Sequence, residues 1–258
     1  LADVAGALPG AVAAHGVAMT TLLPGYPSVL HALGRARAIH RYDSLLGARA
    51  RLLAGRLGDH PLLVLDCPAL FDRDGGAYGD PAGRDWADNW HRFAALARTA
   101  ADLALGRVKG QAFHLLHAHD WQAGLAPAYL RHAGQADVPP SVMTIHNMAF
   151  QGRFDAAVFP ALGLPEAAWS IHGVEYHGGV GFLKAGLEAA DAITTVSPSY
   201  AMEIRAPECG MGLEGLIASR AGRVHGIING IDSEAWNPAH DAALPQTQCT
   251  RCGFPDCA

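Results

Sequence analysis

The chain has 258 residues, half of them hydrophobic and 17% charged, with a formal net charge of −5. That is enough apolar material for a sizeable core, which excludes general disorder, and the charge balance offers neither a nucleic-acid surface nor a polybasic membrane patch. No run approaches the roughly 18 consecutive apolar residues of a membrane-spanning helix, and the opening residues carry no basic-then-apolar signal, so a cytoplasmic protein is expected.

Residues 1–16, rich in Ala, Val and Leu, read as a helix already under way and closed by Gly16, so a strand and turn are expected ahead of it. Apolar strands are predicted at 17–23 and 61–66, and a Gly- and Asp-rich loop covers 72–80. A helical pattern at 87–105 leads to a strand at 113–118, a helix at 122–133 and a strand at 142–146. A helix at 182–190, a strand at 192–196, helices at 198–205 and 213–220, and a strand at 224–228 complete the order. Short, continuously apolar strands alternating with helices predict an α/β fold, a doubly wound Rossmann-like domain whose parallel sheet is covered on both faces.

In Ser141-Val-Met-Thr-Ile-His146-Asn147-Met-Ala-Phe-Gln151-Gly152 an apolar run ends in two hydrogen-bonding side chains. The carboxyl ends of strands are where open α/β sheets bind ligands. His117-Ala-His119-Asp120-Trp121, Ser197-Pro198-Ser199-Tyr200 and Asn229-Gly230-Ile-Asp232 recur in the same setting, so the four clusters suggest one cleft. Blander roles stand beside this one. His146-Asn147 could cap its own strand end, and Asp120 could cap the next helix instead of forming a cleft wall. His117, His119 and Asp120 are metal-ligand types, and His117 and His119, at i and i+2 of a strand, share a face, but no third dedicated ligand for that pair is identifiable, and no metal is expected. Lys184 could be a solvated helix charge and Asp3 a first-turn acid. Asn229-Gly230 also reads as a turn, and Trp86, Trp90 and Phe93 suit packing better than a sugar platform.

Eight blocks in register carry a resemblance: Leu1-Ala-Asp3-Val, Leu23-Pro-Gly-Tyr-Pro27, Asp88-Asn89-Trp-His-Arg92-Phe93, His117-Ala-His119-Asp120-Trp121, Thr144-Ile-His146-Asn147-Met-Ala-Phe-Gln151-Gly152, Phe182-Leu-Lys184-Ala-Gly186, Thr195-Val-Ser197-Pro198-Ser-Tyr200, and Asn229-Gly230-Ile-Asp232. Over residues 1–244 the chain resembles bacterial glycogen synthases and plant starch synthases. The resemblance implies the amino-terminal, acceptor-side domain of a glycosyltransferase B architecture. The implied reaction moves glucose from ADP-glucose to the non-reducing end of an α-1,4-glucan with retention, without a metal or other cofactor. It further implies His146 and Asp120 as catalytic residues, with His146 near the glucose 6-hydroxyl and Asp120 on the cleft wall. Asp3, Asn147, Gln151, Lys184 and Asn229 would bind substrate, Asp3 beside the diphosphate loop and Asn229 at the nucleotide pocket. Family members carry a Lys-Thr-Gly-Gly segment directly before the Leu-Ala-Asp that opens this sequence, so these 258 residues alone are expected to transfer no glucose. A UDP-glucose donor and a non-catalytic glucan-binding domain are the competing expectations.

The tail at 245–258 differs in composition. Cys249, Cys252 and Cys257 give C-x2-C-x4-C, thiolate spacing suited to an iron-sulfur cluster that lacks its fourth ligand. With its Pro-Gln-Thr-Gln-Cys lead it resembles the cluster-binding opening of the B subunit of Rnf-type electron transport complexes. Three origins are open: an unrelated sequence joined at Leu244-Pro245, which is preferred, a truncated product, or a fusion that binds metal through the tail. Cys67 and Cys209 read as isolated structural thiols.

Overall fold

The computed structural model describes residues 2–230. Helix α1 (Ala2–Ala13) runs out through Gly16, whose φ of +77° supplies the predicted left-handed stop. Strand β1 (Thr21–Pro24) starts later than its apolar run suggests, because Val17 is left exposed. Helix α2 (Pro27–Leu33) opens on a proline, whose fixed φ suits a first helical turn. Next come β2 (Arg37–Leu45) and β3 (Ala48–Leu57), which sequence reasoning did not foresee, and β4 (His60–Asp66). Leu46 and Gly47 form the two-residue turn between β2 and β3, both with positive φ (50° and 94°), and so direct an antiparallel return.

Helices α3 (Pro68–Phe71) and α4 (Asn89–Ala104) precede β5 (Leu116–His119). The helix predicted at 122–133 is two pieces, α5 (Asp120–Ala123) and α6 (Leu125–Arg131), meeting at Gly124. A Cβ on Gly124 would fall 2.2 Å from the Phe182 carbonyl oxygen, so only glycine lets this corner approach the following helix layer. Strand β6 (Ser141–Ile145) is followed by β7 (Arg153–Asp155), β8 (Glu175–Tyr176), β9 (Gly179–Gly181), α7 (Phe182–Ala189) and β10 (Ala192–Thr195). Helices α8 (Pro198–Glu203), α9 (Pro207–Gly210) and α10 (Glu214–Ser219) lead to β11 (Val224–Gly226).

The chain has the expected α/β fold, but its strands do not form one sheet. Order β11-β10-β6-β5 is wholly parallel, as predicted, whereas β1-β4-β3-β2 is mixed and β7-β9-β8 is a small antiparallel sheet. The correction follows from the β2–β3 hairpin, since a two-residue connection can only join antiparallel strands. Helix α4 bridges the two larger sheets. Its Phe93, Ala94, Ala97 and Ala101 join the core under β5 and β6, Ala95 packs with Leu65 of β4, and Leu103 packs with Leu52 and Leu63. Alanines on several faces let strands approach from two sides, and burying Phe93 alone is worth about 1.5–3 kcal/mol. Among the described residues no helix is long and apolar enough to cross a membrane. Residues through Ile227 form one unit; Asn229 lies beyond it, and Cys249, Cys252 and Cys257 lie outside the described residues.

Candidate functional site

The site forms at the carboxyl edge of the parallel sheet, where β5 and β6 end side by side. Register pairs His119 with Thr144 and Thr144 with Thr194. Because side chains alternate along a strand, His117 and His119 of β5, Thr144 and His146 at the end of β6, and Thr194 of β10 share one face. Their polar atoms connect. Thr194 and Thr144 hydroxyls lie 2.5 Å apart, Thr144 Oγ1 is 2.6 Å from His117 Nε2, and His119 Nδ1 is 3.0 Å from His146 Nε2. The His117 and His119 rings stack at 4.2 Å. His146 is half-buried, and its Nδ1 makes no hydrogen bond within the protein among the described residues.

Asp120 follows β5 with φ +52°, a left-handed conformation that costs a non-glycine residue about 1–2 kcal/mol. The strain turns its buried carboxylate back across the sheet, where Oδ1 accepts the His146 backbone N–H at 2.7 Å. This replaces the helix-cap expectation: His119 occupies the cap position of α5, and no side chain caps it. Asp120 instead bolts the end of β5 to the end of β6 and fixes the backbone that presents His146.

Electrostatics keep the imidazoles neutral. Burial, reinforced by the neighbouring rings, pushes His117 down to about 4 and His119 down to about 3. His146 is also lowered by burial, with Asp120 opposing, and burial raises Asp120 against the pull of the His146 N–H and ring. At neutral pH the edge therefore presents uncharged rings, each with one donor and one acceptor nitrogen, a set suited to sugar hydroxyls.

The remaining expected residues fall in different places. Asn147 is exposed beside His146, and its Oδ1 accepts the Ala149 N–H at 2.9 Å, a local side-chain to backbone bond of the kind expected at this strand end, while its amide nitrogen makes no hydrogen bond among the described residues. Gln151 Nε2 donates to the Met211 carbonyl at 3.0 Å, while its own carbonyl accepts the Leu183 N–H at 3.1 Å and caps α7. Lys184 is neither a solvated charge nor brought beside His146. It is buried, with Nζ donating to the Gly173 carbonyl at 2.9 Å and to the Ile171 carbonyl, and it lies 3.5 Å from Glu188. Those contacts use all three ammonium donors. Asp3 is exposed in the first turn of α1, and Asn229 is exposed as well.

Two contributors escaped sequence reasoning. Tyr78, from the Gly-rich loop, is exposed and sits 6.2 Å from Trp121 by ring centroids, its hydroxyl accepting from Gln122 at 2.8 Å. The loop is held by fully buried Arg92, which donates to the Leu70 and Ala77 carbonyls and to Asn89. The Asp88-Asn89-Trp-His-Arg92-Phe93 block is thus a loop anchor, and Phe93 packs edge-on against Trp121 at 4.8 Å, as the packing expectation held.

Comparison with known proteins agrees with this fold. The model of the starch synthase catalytic domain matches residues 1–219. The glycogen synthase of Novosphingobium aromaticivorans is 68% identical over 247 residues, covering 95% of this chain and 51% of that protein. The glycogen synthase of Mesorhizobium japonicum is 54% identical over 244 residues, covering 95% of this chain and 50% of that one. Among solved structures, the catalytic domain of starch synthase IV from Arabidopsis thaliana bound to ADP and acarbose superposes with a TM-score of 0.75 and 26% identity, over 93% of this chain and 50% of that chain. The chain spans about half the length of the relatives it matches.

Proposed function

The chain belongs to the starch synthase catalytic domain family, and from that premise we propose that its protein transfers glucose from ADP-glucose to the non-reducing end of an α-1,4-glucan, with retention of configuration and in the cytoplasm. The observation that carries the proposal is His146: a half-buried, neutral imidazole held by Asp120 and His119 at the sheet edge, with Nδ1 unengaged.

Glucosyl transfer develops oxocarbenium character on the sugar while the diphosphate departs. The protein must orient the sugar, screen the phosphates and hold the acceptor hydroxyl close by. In this proposal His146 Nδ1 meets a glucose hydroxyl and the Asn147 amide lies beside it. Asp120 acts through the backbone it fixes, so it is a positioning residue as much as a wall. The exposed Tyr78 ring offers an apolar face to the glucan. Asp3 near the diphosphate, Gln151 near the sugar and Asn229 at the nucleotide are proposed on family resemblance. Lys184 is proposed to act only by tying the segment at 171–173 to α7. No side chain here is a strong base, and the departing phosphate can take the acceptor proton.

The test is incorporation of radiolabelled glucose from ADP-glucose into glycogen by a form of the protein that spans its relatives' full length, with UDP-glucose in parallel. Incorporation from ADP-glucose into a glucoamylase-sensitive product supports the reading. Preference for UDP-glucose would overturn the donor assignment. Retention on amylose with no transfer from either donor would mark a glucan-binding domain instead. The 258 residues alone are expected to transfer no glucose, since they cover only 50% of the ADP- and acarbose-bound relative.

A further inference from the structure

A cavity opens at the other end of the parallel sheet. Ser141 begins β6, Asp191 precedes β10 and Arg223 precedes β11, so these residues mark the amino edge, opposite His146. They line a depression of about 960 Å³ together with Arg131, Arg220 and Glu188, a size usual for small-molecule sites. We infer that this cavity is a binding site for a small organic phosphate, its phosphate held by Arg131, Arg220 and Arg223.

The charge accounting favours an anion. Of the two acids on the wall, Glu188 lies 3.5 Å from the Lys184 ammonium, which offsets its charge, while Asp191 accepts the Ser141 N–H at 2.8 Å and its hydroxyl at 3.3 Å and keeps one negative charge against three guanidinium groups. The guanidinium charge is left in surplus. Arg131 donates once, to the Glu188 carbonyl at 2.8 Å, and Arg220 donates to the Leu187 and Ala190 carbonyls. Each guanidinium has five N–H donors, so both are fixed in place with donors to spare. Arg223 is exposed and makes no side-chain hydrogen bond or ion pair among the described residues. Arg220 is lowered chiefly by burial and then by the charge of Arg223, with Arg131 adding to it and Glu188 and Asp191 opposing; a bound dianion would add to that opposition.

Three guanidinium groups around one cavity suit the oxygens of a phosphate, which arginine grips bidentately. Pro127, Leu130, Val138 and Pro139 add an apolar wall for the organic body. The chain's net charge of −5 argues against a polyanion such as nucleic acid. A purely structural role explains Arg131 and Arg220, which cap the last carbonyls of α7, but it gives Arg223 nothing to do.

The experiment is a phosphorus NMR titration with ribose 5-phosphate in 100 mM chloride. It uses the wild type, the Arg131→Ala/Arg223→Ala pair, His146→Ala at the opposite edge, and Arg37→Ala/Arg41→Ala as a matched loss of two surface charges. Melting curves establish that each variant is folded. Saturable binding that weakens at least tenfold in the Arg131/Arg223 pair, and is kept in the other two variants, is expected. No saturation, no loss in that pair, or equal loss in the Arg37/Arg41 control would each overturn the assignment.

Discussion

Replacing Gly152 by alanine probes how the floor of the site is held. Gly152 sits at φ +59°, where a Cβ costs about 1–2 kcal/mol. That Cβ would also lie 2.3 Å from Trp121 Cε3 and 2.7 Å from Cδ2, well inside the roughly 3.5–4.0 Å of an ordinary carbon contact. The indole has little room to retreat, with the rings of Phe93, Phe154 and Phe182 at 4.8, 5.9 and 6.4 Å. Overpacking of this kind costs about 1–3 kcal/mol, so Gly152→Ala should lose about 2–5 kcal/mol in all. For a domain of this size that is a fall in melting temperature on the order of 10 °C. The clash is separable from the backbone term by repeating the change in a Trp121→Ala background, where the loss should shrink to about 1–2 kcal/mol. A loss below about 1 kcal/mol, or an equal loss in both backgrounds, would refute the reasoning.

Acid should expose the buried imidazoles. His117 and His119 titrate at about 4 and about 3 in the fold, below the ordinary value, so the unfolded chain takes up protons first. Their stabilisation is complete above about pH 6.5 and is lost as pH falls through the folded-state values. The His117→Gln/His119→Asn pair should flatten the dependence of melting temperature on pH across that window, and an unchanged slope would contradict the assignment. Lys184→Met should cost about 2–4 kcal/mol, because two carbonyls and the Glu188 carboxylate lose their donor. Hydrogen exchange at 171–173 should quicken with it, and a variant of wild-type stability would remove Lys184 from this structural role. In a form spanning its relatives' length, His146→Ala should lower kcat by about 10³-fold with a smaller change in KM; a near-normal rate would exclude His146 from the transition state.

How much of this could be read beforehand depended on how local each signal was. The apolar run ending in His146-Asn147 is complete within a few residues, and a strand so buried implies the sheet edge that binds ligands. The β2–β3 hairpin carries a weaker signal: Arg49, Ala50, Arg51 and Leu52 alternate out and in, but without β-branched residues, and Leu46-Gly47 lacks the Asn or Asp that usually announces such a turn. The positive φ of Asp120 has no sequence mark at all, since its cause is the His146 N–H, which is 26 residues away and becomes a neighbour only once β5 and β6 pair. Lys184 follows the same logic, because what its charge does depends on carbonyls delivered by a separate loop. Residue type thus located the edge, while the division of labour along it is set by strand pairing. Asp120 holds backbone, His119 holds a ring, and His146, the less buried of the two paired rings, keeps Nδ1 without a hydrogen bond among the described residues. That division separates the variants at this edge: changing His146 should remove the proposed substrate contact, whereas changing Asp120 or His119 should act through His146 and leave a residual activity that depends on how far its ring is displaced.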